Sequence, residues 1–198
     1  MSRTKQSKRR DANPLAYYET PGGCVDALYR ELPQLHKATV DPCAGTGSLL
    51  RGVQRAGGSI IGVELDPERA ALAAVYGSTC YVGDGLDALV QMPQGQDVIQ
   101  NPPFHLSADF CQLALKHHAS LAQFISFTSL LAARTCPWGD PENRPPIILG
   151  LTPRPFADAT SYAWAVWPRG WRDIPRDNKQ SLWIFTVWRE PRTKHRSS

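Results

Sequence analysis

From about residue 37 onward, short apolar runs alternate with segments of helical pattern, and no other feature of the 198-residue chain restricts its fold so sharply. The strand-like runs are "ATV", "SIIGVEL", "TCYVGD", "DVIQ" and "AQFISFT". Between them "LLRGVQRAGG", "DPERAALAAVYG" and "SADFCQLALKHHAS" carry the helical pattern. Strands separated by helices at this spacing predict a parallel sheet, right-handed crossovers and helices on both faces. The punctuation agrees. Glycine stops the first helix, while Asp66 caps the second, Pro67 occupies its first turn and Gly77 ends it. The last third breaks the alternation: "PPIILGLTPRPF", "SYAWAVW" and "SLWIFTVW" are strand-like, with turn residues and no helix between them. The expected fold is α/β, a doubly wound, mostly parallel sheet with antiparallel closing strands at the C-terminus.

The length suits one domain with a full core. No apolar stretch approaches the ~20 residues of a membrane span, so no membrane partner is expected. "MSRTKQSKRR" lacks the apolar segment of a secretory signal. Cys24, Cys43, Cys80, Cys111 and Cys136 are odd in number, scattered and free of any C-x-x-C pair, as reduced thiols in a cytoplasmic protein would be. No metal is expected. Cys111 lies near His117 and His118, but adjacent helical histidines point about 100° apart, and ligand spacing is missing. The net charge of +4 is uneven: residues 1–10 carry five cations and no acid, and residues 189–198 four cations against Glu190. This divides the chain into a basic arm at 1–16, a domain at 17–188 and a basic tail at 189–198. Charge alone fits a polyanion partner and a solubilising tail equally.

"DPCAGTGSLL" follows the first strand and opens the first helix, where ligands bind in an open parallel sheet. Gly45 and Gly47 would let backbone approach a ligand there. The stretch is neither G-x-G-x-x-G nor a P-loop, and a tight turn explains a lone G-x-G equally well. Glu64 ends the second strand, from which a carboxylate can accept from both hydroxyls of a ribose. Asp84 ends the third. Either alone reads as a solvated strand-end acid; with the glycine turn they form an adenosine pocket without a pyrophosphate site. Then comes "DVIQNPPFHLS". Its two prolines remove backbone donors and stop the strand, presenting Asn101 and Phe104 on a stiff turn. Either this is a strand stop, or something needs those two side chains held still.

The series "DPCAGTGSLL", "IIGVELDPE", "YVGDGLD" and "NPPF" resembles the class I S-adenosylmethionine-dependent methyltransferases. Within them it is similar to small phage and prophage DNA adenine-N6 methyltransferases, which "YYETP" and "TPRPFADATSYAWAVW" also resemble. The likeness covers about residues 17–167 and implies the class I fold with seven strands. It implies S-adenosylmethionine as cofactor and transfer to the N6 amine of adenine in DNA. Asn101, Pro102, Pro103 and Phe104 would be catalytic. The cofactor would lie against Tyr18, Thr20, Pro21, Asp41, Ala44, Gly45, Thr46, Gly47, Glu64, Leu65, Asp84, Gly85 and Asn101. Nucleic acid is the expected partner, DNA before RNA. An RNA base-amine methyltransferase (adenine N6 or guanine N2), a protein glutamine methyltransferase and a non-catalytic nucleic-acid-binding protein on the same fold are the alternatives. "NPP" plus an aromatic does not separate the enzymes.

With no large recognition domain, sequence readout is expected from the 134–146 loop, the 168–181 insertion and the basic tails. Arg154, Arg169, Arg172, Arg176 and Lys179 interleave with tryptophans, a mix suited to nucleic acid. Trp164 and Trp167 cannot share one face of a strand, so one is expected in the core and one on a groove wall. His105 is expected at the lip. "SLWIFTVWRE" lies past the resemblance and reads as either a sheet strand or part of the substrate groove.

Overall fold

The computed structural model describes residues 18–35, 40–75, 78–132, 136–156, 160–174, 181–187 and 189. The strands are β1 (Val40–Asp41), β2 (Ile61–Glu64), β3 (Thr79–Val82), β4 (Asp97–Gln100), β5 (Ser120–Ser126), β6 (Ile147–Thr152), β7 (Tyr162–Trp167) and β8 (Leu182–Val187). They form one sheet in the order β3-β2-β1-β4-β5-β7-β6-β8. β7 runs against both of its neighbours, and every other pairing is parallel. The doubly wound, mostly parallel sheet is as expected, with one strand more than the expected seven. "LWIFTV" pairs with β6 along its whole length, from Leu182 opposite Ile147 to Val187 opposite Thr152. It closes the sheet because Ile184 packs on the core and Thr186 is tied to Arg30 and Glu31.

Helices α1 (Gly22–Glu31), α2 (Ser48–Arg55) and α3 (Pro67–Ala74) cover one face; α4 (Gly85–Gln91), α5 (Ser107–His117) and α6 (Phe127–Leu131) cover the other. β4 shows why its sequence has no polar alternation. Ile99 enters the core with Leu28, Leu50 and Phe124, and Val98 the opposite core with Leu89, Phe110 and Leu115. Side chains of a strand alternate between faces, so a strand covered on both reads as a continuous apolar run. α3 starts as its sequence predicts, with Asp66 Oδ1 accepting the Glu68 N–H at 2.9 Å and Pro67 in the first turn. Gly77, the expected stop, lies outside the described residues.

The closing strands correct the reading of the tryptophans. Trp164 and Trp167 do face opposite sides of β7, but both are wholly buried, one in each core. Their indole N–H groups donate to Cys24 O and Asn143 O, both at 2.9 Å. A sheet covered on both faces has no groove wall to offer at these positions. The loops expected to read sequence are also largely placed elsewhere. Pro168–Ile174 follows β7 at the edge of the sheet opposite the C-terminal ends of β1 and β4. There Arg169 pairs with buried Asp97 at 2.7 Å, and Arg172 donates to Leu115 O and lies 4.5 Å from the Trp171 ring centroid. Asn143–Pro146 reaches the same edge, since Trp167 donates to Asn143 O and Leu182 N–H to Pro146 O. Arg176, Lys179 and the remaining residues of the insertion from 175 to 180 lie outside the described residues, as do Trp188 and residues 134 and 135. So do the N-terminal arm and all of the C-terminal tail but Arg189. Among the described residues no helix is long and apolar enough to cross a membrane.

Candidate active site

The C-terminal ends of β1, β2, β3 and β4 open on one cleft, floored by the "DPCAGTGS" turn. Gly45 and Gly47 both take positive φ, +55° and +86°, which favours glycine. A Cβ on Gly47 would lie 3.0 Å from Ala73 Cα, so this residue also lets α3 pack on the turn. Glu64 ends β2 nearly buried, and both carboxylate oxygens are aimed by backbone. Oε2 accepts the Gly45 N–H at 2.7 Å and Oε1 the Asp66 N–H at 3.0 Å. Asp84 is exposed and caps α4, with Oδ1 accepting the Leu86 N–H at 2.7 Å. A Cβ on Gly85 would stand 1.9 Å from Pro42 O, so only glycine lets the β3–α4 turn close on the β1 turn.

Asp41 lies beneath the floor with no exposed surface. Its Oδ1 accepts the Cys43 N–H at 3.1 Å, and its Oδ2 is buried without a partner. Burial pushes the carboxyl up to about 7, with the Glu64 charge adding to the rise and the Cys43 N–H opposing it. The Cys43 thiol is pushed up as well, mainly by burial.

Asn101 leaves β4 with its side-chain amide fully assigned. Nδ2 donates to Tyr18 O and to Thr20 Oγ1, each at 2.8 Å. A carbonyl can only accept, so the nitrogen must face Tyr18, and Oδ1 is the end left to the cleft. Tyr18–Pro21 forms a strap across the cleft, held to α2 by the Ser48 hydroxyl on Thr20 O and by Arg51 on Glu19 at 3.0 Å. After Asn101, Pro102 is buried and Pro103 O accepts the Leu106 N–H at 2.9 Å, turning the chain into α5. Phe104 is 39% exposed and stacks on Tyr18 with centroids 4.9 Å apart and planes at 24°. Behind this pair an aromatic cluster runs into the core, with buried Tyr162 6.2 Å from Phe104 and Phe156 6.2 Å from Tyr18, neither of them on the cleft wall.

No protein-family model and no curated protein matches the chain. Solved structures do. A dimethyladenosine transferase from Plasmodium falciparum superposes with TM-score 0.55 at 13% identity, over 80% of this chain and 66% of that one. Protein 1320 of Thermoplasma acidophilum gives 0.52 at 16%, over 72% and 81%. An RNA methyltransferase from Salinibacter ruber, crystallised with S-adenosyl-L-homocysteine, gives 0.50 at 14%, over 76% and 94%. The chain has the class I methyltransferase fold. β8 forms the edge of the sheet farthest from β3.

Of the residues expected at the site, the methyltransferase fold brings Tyr18, Thr20, Ala44, Glu64, Leu65, Asp84, Gly85 and Asn101 to the wall of the cleft, with Pro102, Pro103 and Phe104. Pro21, Asp41, Gly45, Thr46 and Gly47 are not on that wall: Pro21 starts α1, and the others shape or underlie the turn. The strap's anchors, Ser48 and Arg51, went unread in the sequence, as did Arg69 on the cleft. A serine and two arginines on helices carry no local signal. Their partners lie 20 or more positions away for Ser48–Thr20 and Arg51–Glu19. His105, expected at the lip, is half-buried in the turn before α5 and is not on the cleft wall.

Proposed function

We propose that this protein transfers a methyl group from S-adenosylmethionine to the exocyclic N6 amine of adenine in DNA. The observation that carries the reading is the orientation of Asn101, whose nitrogen is committed to the strap and whose oxygen is left to the cleft. The cleft also suits the cofactor. Glu64 presents a nearly buried carboxylate aimed by backbone N–H groups, and each oxygen keeps a lone pair for a ribose hydroxyl. Asp84 and the exposed Leu65 flank the adenine position, with Gly85 beside them. The strap of Tyr18, Thr20 and Pro21 covers the methionine end, above the turn of Asp41, Ala44, Gly45, Thr46 and Gly47. Similarity to a dimethyladenosine transferase and to an RNA methyltransferase crystallised with S-adenosyl-L-homocysteine supports the cofactor and nucleic-acid methylation in general, while the choice of DNA rests on the sequence resemblance.

When bound, S-adenosylmethionine supplies a methyl group already activated on a sulfonium. The chain's residues therefore need only bind, orient and exclude water. A base amine is a poor nucleophile because its lone pair is delocalised into the ring. Asn101 Oδ1 and the Pro102 carbonyl accept its hydrogens and localise that lone pair. Pro102 and Pro103 hold both acceptors with little freedom left to lose. Phe104 stacks on a base taken out of its helix. Tyr18 already covers one face of that ring at 4.9 Å, so a base entering on that face takes Tyr18's place. The stacked pair of Tyr18 and Phe104 on the cleft wall favours a planar base over a glutamine amide. The domain at 17–188 carries the site, and the basic segments 1–16 and 189–198 contact phosphates.

A tritiated methyl-transfer assay on DNA, RNA and protein pools tests the reading. Label is expected in DNA as N6-methyladenine; label in RNA or protein moves the substrate to that polymer, and none removes the activity. At saturating cofactor Asn101→Ala should transfer more slowly by two orders of magnitude or more, the ~2.7–4 kcal/mol scale of one oriented polar group in a catalytic site. Transfer at the parent rate would sink the assignment.

A further inference from the structure

A buried polar chain runs beneath the Asn101 turn. Gln100 and Gln123 are register partners on β4 and β5, and neither has any exposed surface. Gln100 Nε2 donates to Gln123 Oε1 at 2.7 Å. Gln123 Nε2 donates in turn to Ser107 Oγ at 2.7 Å and to Ser107 O at 3.2 Å. Gln100 immediately precedes Asn101, and Ser107 is the first residue of α5. One side chain therefore ties together both ends of the loop that carries Asn101, Pro102, Pro103 and Phe104.

Two amides in a core are costly to desolvate, and a pair of leucines there would avoid that cost. Here the cost is not fully offset, because Gln100 Oε1 is buried without a partner. The register of β4 on β5 does not require the pair. It is set by Asp97↔Ser120, Val98↔Leu121 and Ile99↔Ala122, with Ser120 Oγ on Asp97 at 2.5 Å. What Gln123 alone supplies is the span across the loop. The geometry points to Gln123 as a positioning residue that clamps Gln100 to Ser107 and keeps the Asn101 oxygen aimed into the cleft. Asn101 is then held at its amide nitrogen by the strap, at its backbone N–H by the Cys43 sulfur, and through Gln100 by the clamp. This rests on the reading of Asn101 proposed above; Gln123 itself is not on the cleft wall.

The test compares the parent with Gln123→Leu and with the double variant Gln100→Leu/Gln123→Leu, and includes Asn101→Ala as the control on the reading itself. Gln123→Leu should melt lower, because it leaves the Gln100 amide and the Ser107 hydroxyl unpaired. The double variant should recover much of that melting temperature, since two apolar partners of similar shape replace two amides. Single-turnover methyl transfer at saturating DNA and cofactor should nevertheless stay at least about tenfold slow in both, toward the hundredfold that a ~1 Å misplacement costs. Cofactor affinity should stay within about twofold of the parent, as the cleft residues that the reading assigns to it are unchanged. A double variant that regains rate along with stability would make the chain a packing feature and overturn the clamp. Should the parent transfer nothing, or Asn101→Ala leave the rate untouched, the functional reading has failed, and the clamp is decided by exchange of the Asn101 side-chain amide protons followed by NMR. Exchange about tenfold faster in both variants, as local opening predicts, supports the clamp. Exchange at the parent rate overturns it.

Discussion

Two hydrogens decide what Asn101 can present. Both are spent on Tyr18 O and Thr20 Oγ1, and so its oxygen is what the cleft receives. Glu64 is held by the same logic, each oxygen taking one backbone N–H. On the proposed reading, Glu64→Ala removes the charged acceptor of two ribose hydroxyls, worth roughly 1.5–3 kcal/mol on the scale of hydrogen bonds to charged groups. Calorimetry should show cofactor affinity weakened about tenfold or more; unchanged affinity in a folded variant would take Glu64 out of the site. Asp41 gives a prediction in pH. Its folded value of about 7 lies above the ordinary 3.8, so folding favours the protonated acid. Its stabilising contribution is complete below about pH 4 and is lost as pH rises toward about 7. Asp41→Asn keeps an acceptor for the Cys43 N–H and does not titrate. Urea unfolding at about pH 4.5 and 7.5 should show stability shifting toward the variant at the higher pH, by up to ~1.4 kcal/mol per unit. A difference that does not change with pH would mean that Asp41 is not held as a buried acid.

At the scale of elements, α1 connects the core to the strap. Pro21 precedes its first turn, and Cys24, Val25, Ala27 and Leu28 are fully buried along it. It seats on α2 through Gly52, where a Cβ would lie 2.6 Å from Val25 Cβ and Cγ1. Val25 is β-branched and stiff, so it cannot swing aside. Gly52→Ala should destabilise despite alanine's better helix propensity, because overpacking costs ~1–3 kcal/mol against a propensity gain of ~1. A melting temperature lower by several degrees is expected at ~2–4 °C per kcal/mol for a chain of this size. An unchanged or raised value would show that α1 does not seat on α2 in this way. α1 itself was not legible in the sequence. Its glycine pair after Pro21 is a poor helix signal, and its apolar face has meaning only against α2 and the sheet core that it covers. α4 escaped for a related reason, being seven residues long and opening on Gly85. That glycine is set by the carbonyl of Pro42, which approaches it from 43 positions earlier in the chain.

At the scale of the whole molecule, charge is concentrated at the two ends of the sequence. Residues 1–10 and 189–198 hold nine of the 22 cations, while the candidate cleft is lined mostly by uncharged residues. If these arms meet phosphates, their removal should weaken DNA binding and flatten the slope of log affinity against log salt by about 0.9 for each phosphate no longer neutralised. Cofactor affinity should not move. A salt slope identical in the truncated protein would make the arms solubilising tails.

The sequence by itself determined the parallel α/β sheet, the position of the cleft at its C-terminal edge, and the residues that reach that cleft from the strand ends. Those are local facts: an apolar run makes a strand, an acid-proline pair starts a helix, and two prolines end β4. What only the tertiary structure decided are the relations between distant segments. Trp164 and Trp167 became core on both faces because the sheet is covered twice. "LWIFTV" became an edge strand because β6 was left with an open side. Arg169 and the segment around it went to the far edge because Asp97 is buried there and needs a cation. The aim of Asn101 was decided by Tyr18 and Thr20, more than 80 positions earlier. A side chain's type sets which hydrogen bonds it can make, and the fold alone sets which of them are already taken.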